Sequence, residues 1–264
     1  MRTSKIKAKL RRNEAVLVTA LHLNDPVVFE MASLYGFDGL WLDMEHQARS
    51  VETASQLIRA ARVGTSDVMT RCAKGEFLRL GRMLEIGATG IMYPRCDDAA
   101  EAREVVRWAK FAPLGNRGID SAGADNPYCT MPMVDYLKAA NDETFIVIQV
   151  EDDGALSNVE EIAKVDGVDV IFFGPGDYSI LGGFPGQWDH PKIGAAMERI
   201  AAAAKSAGKH WGMPVLNDVA FAKKVYDMGG RFMANGADQQ MIRAGFEDLQ
   251  KRFGPVGLAF ERRV

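Results

Sequence analysis

Two short apolar runs in the middle of the chain each lead to a carboxylate. Phe145-Ile-Val-Ile-Gln-Val reaches Glu151, and Val168-Asp-Val-Ile-Phe-Phe reaches Asp177 through Gly174-Pro-Gly176. Both are rich in β-branched and aromatic residues and too short for helices, the pattern of strands buried on both faces. A polar, helix-like segment separates them, so they read as a βαβ unit whose strands point their C-terminal ends the same way. Glu151 and Asp177 then meet in the crevice above the sheet, where α/β sheets place their ligands. Two carboxylates there repel each other unless they share a proton or a cation. With no cysteine beside them, they suit a hard divalent ion, Mg²⁺ or Mn²⁺, that keeps positions for water and substrate. The plainer reading is two solvated loop acids. Gln149, two residues before Glu151, faces the same way and is placed to hold a substrate oxygen or a water. Backbone N–H groups around Gly176 offer a seat for a substrate carboxylate, or the Gly-Pro-Gly stretch is simply a turn.

A second cluster stands at the end of the run Gly39-Leu-Trp-Leu, which delivers Asp43, Glu45 and His46. A histidine with one carboxylate three residues before it and another beside it can be oriented for proton transfer near neutral pH. A lone loop histidine is more often merely solvated, but titratable groups converging on one rim favour function. His22 is a weaker candidate, and His190 and His210 read as structural. Arg71 closes another buried run and needs an anion to offset its desolvation. That anion is Glu151, Asp43 or an enolate oxygen of the substrate, and the last is the expectation. Schiff-base chemistry would need a buried lysine at a strand end. Lys74, followed by Gly75, reads instead as a loop charge.

Positioning these groups requires an alternation of strand and helix. Strand-like runs fall at 15–21, 39–44, 68–72, 90–95, 145–151, 168–173, 211–216 and 231–235, with amphipathic stretches between them, several stopped by glycines such as Gly36, Gly87 and Gly229. Eight such units make one α/β domain, a (β/α)₈ barrel over residues 1–264. No glycine fingerprint follows the first strand, which excludes a Rossmann reading. A short surface helix at 4–12, capped by Ser4, precedes the barrel. The long connection at 111–144 reads as a lid over the site. The Met-rich helix and tail at 239–264 exceed what a closed monomer needs and imply an oligomer.

The chain has 264 residues, 47% hydrophobic and 25% charged, with a net charge of −3. That balance provides no basic field for nucleic acid or an anionic membrane. No apolar run approaches the roughly 20 residues of a bilayer span, and the basic start lacks the apolar core of a secretory signal. A cytoplasmic location is expected. Cys72, Cys96 and Cys129 form no CxxC pair and are expected to be reduced and structural.

Taken as a set, Gly36-Phe-Asp-Gly-Leu-Trp-Leu-Asp-Met-Glu-His46, Arg71, Pro113-Leu-Gly-Asn-Arg-Gly118, Gln149-Val-Glu151, Gly167-Val-Asp169 and Gly174-Pro-Gly-Asp177 are specific. The chain resembles the HpcH/HpaI aldolase/citrate lyase family, in particular its metal-requiring 4-hydroxy-2-oxoheptanedioate and 2-dehydro-3-deoxyglucarate aldolases. The resemblance implies reversible cleavage of a 4-hydroxy-2-oxo acid to pyruvate and an aldehyde. It implies Mg²⁺, Mn²⁺ or Co²⁺ held by Glu151 and Asp177, His46 paired with Asp43 for acid/base work, and Arg71 on the enolate. It further implies a trimer or hexamer with the last helix swapped between protomers. Glu85 lies where the family often carries Asp, at a position from which an acid approaches a neighbouring subunit's site. The rival expectations are an acyl-CoA lyase of the citryl-CoA or malyl-CoA type and a non-catalytic barrel that binds a keto acid.

Overall fold

The computed structural model describes residues 1–261, so the last three residues of the expected tail lie outside it. Eight parallel strands close in chain order into a barrel, β1 (Val16–Leu21), β2 (Gly39–Asp43), β3 (Asp67–Arg71), β4 (Gly90–Tyr93), β5 (Phe145–Val150), β6 (Val170–Phe173), β7 (His210–Pro214) and β8 (Phe232–Ala237). The expected (β/α)₈ architecture is present. Helices α1 (Lys5–Arg11), α2 (Pro26–Leu34), α3 (Val51–Ala61), α4 (Phe77–Glu85), α5 (Ala99–Ala109) and α6 (Met133–Glu143) occupy the first half. The second half carries α7 (Asp153–Ser157), α8 (Val159–Ala163), α9 (Pro175–Leu181), α10 (Pro191–Ser206), α11 (Val219–Asp227) and α12 (Asp238–Phe253).

The alternation of side chains along each strand builds two cores. Val18, Met69, Val147, Val170, Phe172 and Phe232 fill the barrel interior. Their neighbours Leu40, Leu42, Ile146, Ile148, Ile171 and Phe173 face outward and pack beneath the helices. A strand buried on both faces must be apolar at every position until it reaches the mouth, where polar side chains can again be solvated or paired.

Helix α1 is more than the surface helix expected of it. Its Ile6 and Leu10 join the interior cluster, so the helix plugs the N-terminal end of the barrel. Ser4 caps α1 by accepting from Lys7 N at 3.0 Å, and its hydroxyl donates to Asp67 Oδ2 at 2.6 Å. Ile6 N donates to the same oxygen at 2.8 Å, and Lys7 and Lys9 pair with Asp169 and Asp38. The basic residues that make α1 look solvated are the ones that staple it to acids around the barrel base.

The connection at 111–144 does not cover its own chain's site, contrary to the lid expectation. It joins α5 to β5, and helix-to-strand connections lie at the end of the barrel opposite the strand tips. There Ala124 N donates to Glu85 O at 3.0 Å, Arg62 donates to Ala124 O at 2.9 Å, and buried Arg117 pairs with Asp125 at 2.7 Å. Helix α12 is the other departure from a self-contained barrel, since Asp238 is its one buried residue. Met241, Phe246, Leu249 and Phe253 are exposed along it. Met241 and Ile242 line an apolar cavity of about 470 Å³ with Met31 and Tyr35. Among the described residues no helix is long and apolar enough to cross a membrane.

Replacing Ser4 with alanine removes a helix cap and a buried partner of Asp67 in one step. We expect a loss of about 1 to 2 kcal/mol of stability in urea titrations. An unchanged midpoint would mean that the α1 plug contributes nothing to the fold.

Candidate active site

Strands β2 and β3 run in register with Asp43 opposite Arg71, which brings both side chains to the mouth together. Arg71 donates from Nε to Asp43 Oδ1 at 3.1 Å and from Nη2 to Oδ2 at 2.8 Å. Its guanidinium lies 4.7 Å from the centre of the Trp41 ring. Burial pushes the Asp43 carboxyl up, but the hydrogen bonds and charge of Arg71, with the Glu45 N–H, outweigh it and hold Asp43 below its usual range. The Glu45 N–H reaches Asp43 Oδ1 at 3.0 Å, a local turn that ends β2 and swings the next residues over the rim.

Asp43 is therefore the partner of Arg71, not of the His46 ring as the resemblance implied. The carboxylate beside His46 is Glu45, whose Oε2 lies 3.5 Å from His46 Nε2 and 3.1 Å from Arg71 Nε. That oxygen is buried and ion-paired with Arg71, yet it accepts no hydrogen bond from the described residues. His46 itself is 53% exposed, free to meet a substrate.

Across the mouth, Glu151 follows the last residue of β5 and is 3% exposed. Its Oε1 accepts from Gln149 Nε2 at 3.0 Å and its Oε2 from Arg95 N at 2.9 Å. Burial pushes its carboxyl up to about 7; the negative charges of Asp177 and Glu45 add to the rise, while the Arg95 N–H and the charge of Arg71 oppose it. Gly174 is required beside it, because a Cβ there would come within 2.3 Å of Glu151 Oε1. Gln149 lies where expected and leaves its own Oε1 buried without a partner. Asp177 stands in the first turn of α9, directly after Gly176, around which space is open.

Arg95 is a site residue that the sequence reading passed over. It follows β4 in the left-handed region at φ 49°, a conformation that costs a non-glycine residue stability and is found where function holds it. Its guanidinium lies 3.6 Å from Asp177 Oδ1. An arginine at the tip of the strand between Arg71 and Glu151 was the available signal.

Lys74 is a paired charge, 2.7 Å from Asp97 and 3.2 Å from Glu101. Partial burial lowers its proton affinity, yet those acids outweigh it and leave it raised, so no free amine is offered there. Lys110 is buried and pushed down to about 8 by desolvation, but it donates to Asn141 O, Thr144 O and Thr144 Oγ1 at the other end of the barrel. Glu85 also lies at that end, at the close of α4, and cannot reach the strand tips of its own chain.

Among the described residues no group of three or more His, Cys, Asp or Glu side chains is gathered to hold a metal. The donor set at Glu151 and Asp177 is nevertheless compatible with a hard cation bound mostly by water and substrate oxygens. It offers a carboxyl whose charge is resisted by a second carboxylate, and an orphaned amide oxygen on Gln149 beside it. Next to Trp41, a cavity of about 350 Å³ is lined by Ala20, His22, Leu216, Asn217 and Asn235. Leu216 and Asn217 are both left-handed, at φ 54° and 57°.

A closed parallel barrel with its acids, arginines and histidine gathered at the strand tips defines a (β/α)₈ protein of the enzyme type. The profile of the HpcH/HpaI aldolase/citrate lyase family matches residues 18–244, and the chain belongs to that family. It is 32% identical to the 4-hydroxy-2-oxo-heptane-1,7-dioate aldolase of Shigella sonnei (strain Ss046), over 98% of each chain. An HpcH/HpaI aldolase from Desulfitobacterium hafniense DCB-2 superposes with a TM-score of 0.86 at 29% identity, covering 92% of this chain and 96% of that one. A family member from Burkholderia cenocepacia J2315 gives 0.86 at 30% identity, covering 94% and 99%.

The raised proton affinity of Glu151 has a measurable consequence in metal-free protein. The folded state keeps a proton that the unfolded chain releases, so the contribution of this group is fully favourable below about 4.5 and is lost as pH rises through about 7. Glu151→Gln should therefore raise the melting temperature in EDTA at pH 8 by a few degrees and give little gain at pH 4.5. An equal change at both pH values in calorimetry would show that the buried charge is not the source.

Proposed function

We propose that the protein is a divalent-metal-dependent aldolase that reversibly cleaves a 4-hydroxy-2-oxo acid to pyruvate and an aldehyde. The observation that carries this reading is the buried Glu151 at the same rim as Asp177, Arg71 and His46. Membership in the family and the likeness to an aldolase across nearly the whole chain support it. Glu151 and Asp177 would hold the ion, Mg²⁺, Mn²⁺ or Co²⁺. When bound, it supplies Lewis-acid stabilisation of the oxygen charge that develops on the 2-oxo acid.

The protein's own groups divide the remaining work. The N–H groups at Gly176 and Asp177 seat the substrate carboxylate. His46, steadied by Glu45, takes the proton from the C4 hydroxyl as the C3–C4 bond breaks and C4 becomes the aldehyde carbonyl. The bond's electrons pass to C3 as the enolate of pyruvate, which is protonated there on release. Arg71, fixed by Asp43 and Glu45, meets the enolate charge without having to reorganise. The cavity beside Trp41 is the place for the aldehyde half. A CoA-thioester lyase would want cations for the CoA phosphates, and Arg117, the insertion's buried arginine, is spent on Asp125 at the opposite end.

The exposed apolar side of α12 belongs, on this reading, to a homotrimer or homohexamer in which it packs on a neighbour. Glu85 could then serve only a neighbour's site.

Chelation tests the reaction. EDTA should abolish pyruvate release from 4-hydroxy-2-oxo acids, Mn²⁺ or Mg²⁺ should restore it, and borohydride with pyruvate should leave the enzyme active and unlabelled. In the same assay His46→Ala should lower turnover about 10²- to 10⁴-fold. Activity indifferent to EDTA, with a borohydride adduct on a lysine, would replace this reading by Schiff-base chemistry. Light scattering should give a mass that is a multiple of 29.0 kDa, and a monomer at working concentration would remove the assembly.

A further inference from the structure

Arg71 and Arg95 sit at the tips of adjacent strands, but their donors are used very differently. Arg71 is bidentate on Asp43 and also faces Glu45, which leaves Nη1 as its remaining nitrogen. The backbone of Arg95 is pinned from both sides, its N–H donating to Glu151 Oε2 at 2.9 Å and its carbonyl accepting from Lys74 Nζ at 2.6 Å. Its guanidinium, by contrast, is ion-paired among the described residues with Asp177 Oδ1 alone, at 3.6 Å and beyond hydrogen-bond length, and the side chain is 47% exposed. The anchor is fixed while the charged head is held by that long ion pair and no hydrogen bond of ordinary length.

We propose that Arg95 is the substrate-positioning cation of the site, whose guanidinium binds the carboxylate of the 2-oxo acid. This inference rests on the aldolase reading given above. Three points place that anion here rather than on Arg71. The head of Arg95 already lies 3.6 Å from the carboxylate of Asp177, on the side of the rim where space is open around Gly176. Its planar fork of donors matches a carboxylate, and the ion pair it makes with Asp177 is longer than a hydrogen bond, so little has to be given up before binding. Finally, Asp177 is one of the two carboxylates assigned to the cation, and a carboxylate so engaged holds an arginine less strongly. Left-handed backbone at Arg95 serves the same end, because it turns the N–H to Glu151 while carrying the side chain over the rim toward α9.

The test is calorimetric titration of pyruvate into Mn²⁺-loaded protein, with Mn²⁺ affinity measured separately by paramagnetic resonance. Arg95→Met should weaken pyruvate binding about 10- to 100-fold and raise KM for the oxo acid alike, while kcat and Mn²⁺ affinity change by no more than a few-fold. Arg95→Lys, which keeps the charge but loses the fork, should recover part of the affinity. Wild-type binding retained in Arg95→Met, or a loss of pyruvate matched by an equal loss of Mn²⁺, would overturn the role. Wild-type protein that binds Mn²⁺ but no pyruvate would instead remove the aldolase reading on which the role depends.

Discussion

Keeping the Glu151 carboxyl out of water is the constraint around which the upper rim is arranged. A buried acid facing two further acids is pushed to hold its proton, and here the opposing influences are one backbone N–H and a neighbouring arginine. Each nearby element is shaped to it. Gly174 has no side chain because one would occupy the carboxylate's place. Arg95 accepts a left-handed backbone to present its N–H. Gln149 donates to Glu151 and leaves its own oxygen buried and unpaired. Such a set costs the fold stability, and on the proposed reading a cation would relieve it, the usual relation between a poised site and its scaffold.

Opposite this rim the barrel is built for stability. Asp67, at the base of β3, is also buried, and burial pushes it up to about 6, but its charge is met by the Ser4 hydroxyl and the Ile6 N–H. Lys110 is buried nearby with all its bonds going to backbone carbonyls and a hydroxyl. The two ends therefore treat charge differently. At the base Asp67 and Lys110 are each met by short hydrogen bonds, whereas at the mouth Glu45 and Gln149 each keep a buried oxygen that accepts none from the described residues.

The division explains what could be read from the sequence. The strands were legible because strands buried on both faces show short, largely apolar runs, and the acids were legible because the runs of β2, β5 and β6 lead to Asp43, Glu151 and Asp177. The pairing of those groups was not. Strand register decides that Asp43 lies opposite Arg71, and register is a property of two strands, invisible in either alone. Arg95 escaped notice because it lies two residues past the end of β4, where the left-handed torsion that turns its N–H to Glu151 leaves no mark in the sequence. The insertion was misplaced for a simpler reason: its length suggested a lid, while its position after a helix puts it at the base. In α1 the basic residues masked two buried apolar ones, since ion pairs with distant acids leave no periodic trace.

Helix α12 shows how a helix can be fixed at one end and uncommitted along its length. The Asp238 carboxylate accepts from the N–H groups of His22, Leu23 and Gln239, and although burial alone would raise it, the His22 side chain and those bonds bring it down to about 2. That cluster ties the end of β8 to the end of β1 and sets the direction in which α12 leaves. Beyond it Phe246, Leu249 and Phe253 are exposed, whereas α10, of equal length, buries Ile193, Met197 and Ile200 against the barrel. A rigid base with an uncovered apolar length is suited to delivering that length to a second surface. The proposed assembly gives the same account of Glu85 and the insertion, which stand at the end of the barrel opposite the strand tips of their own chain.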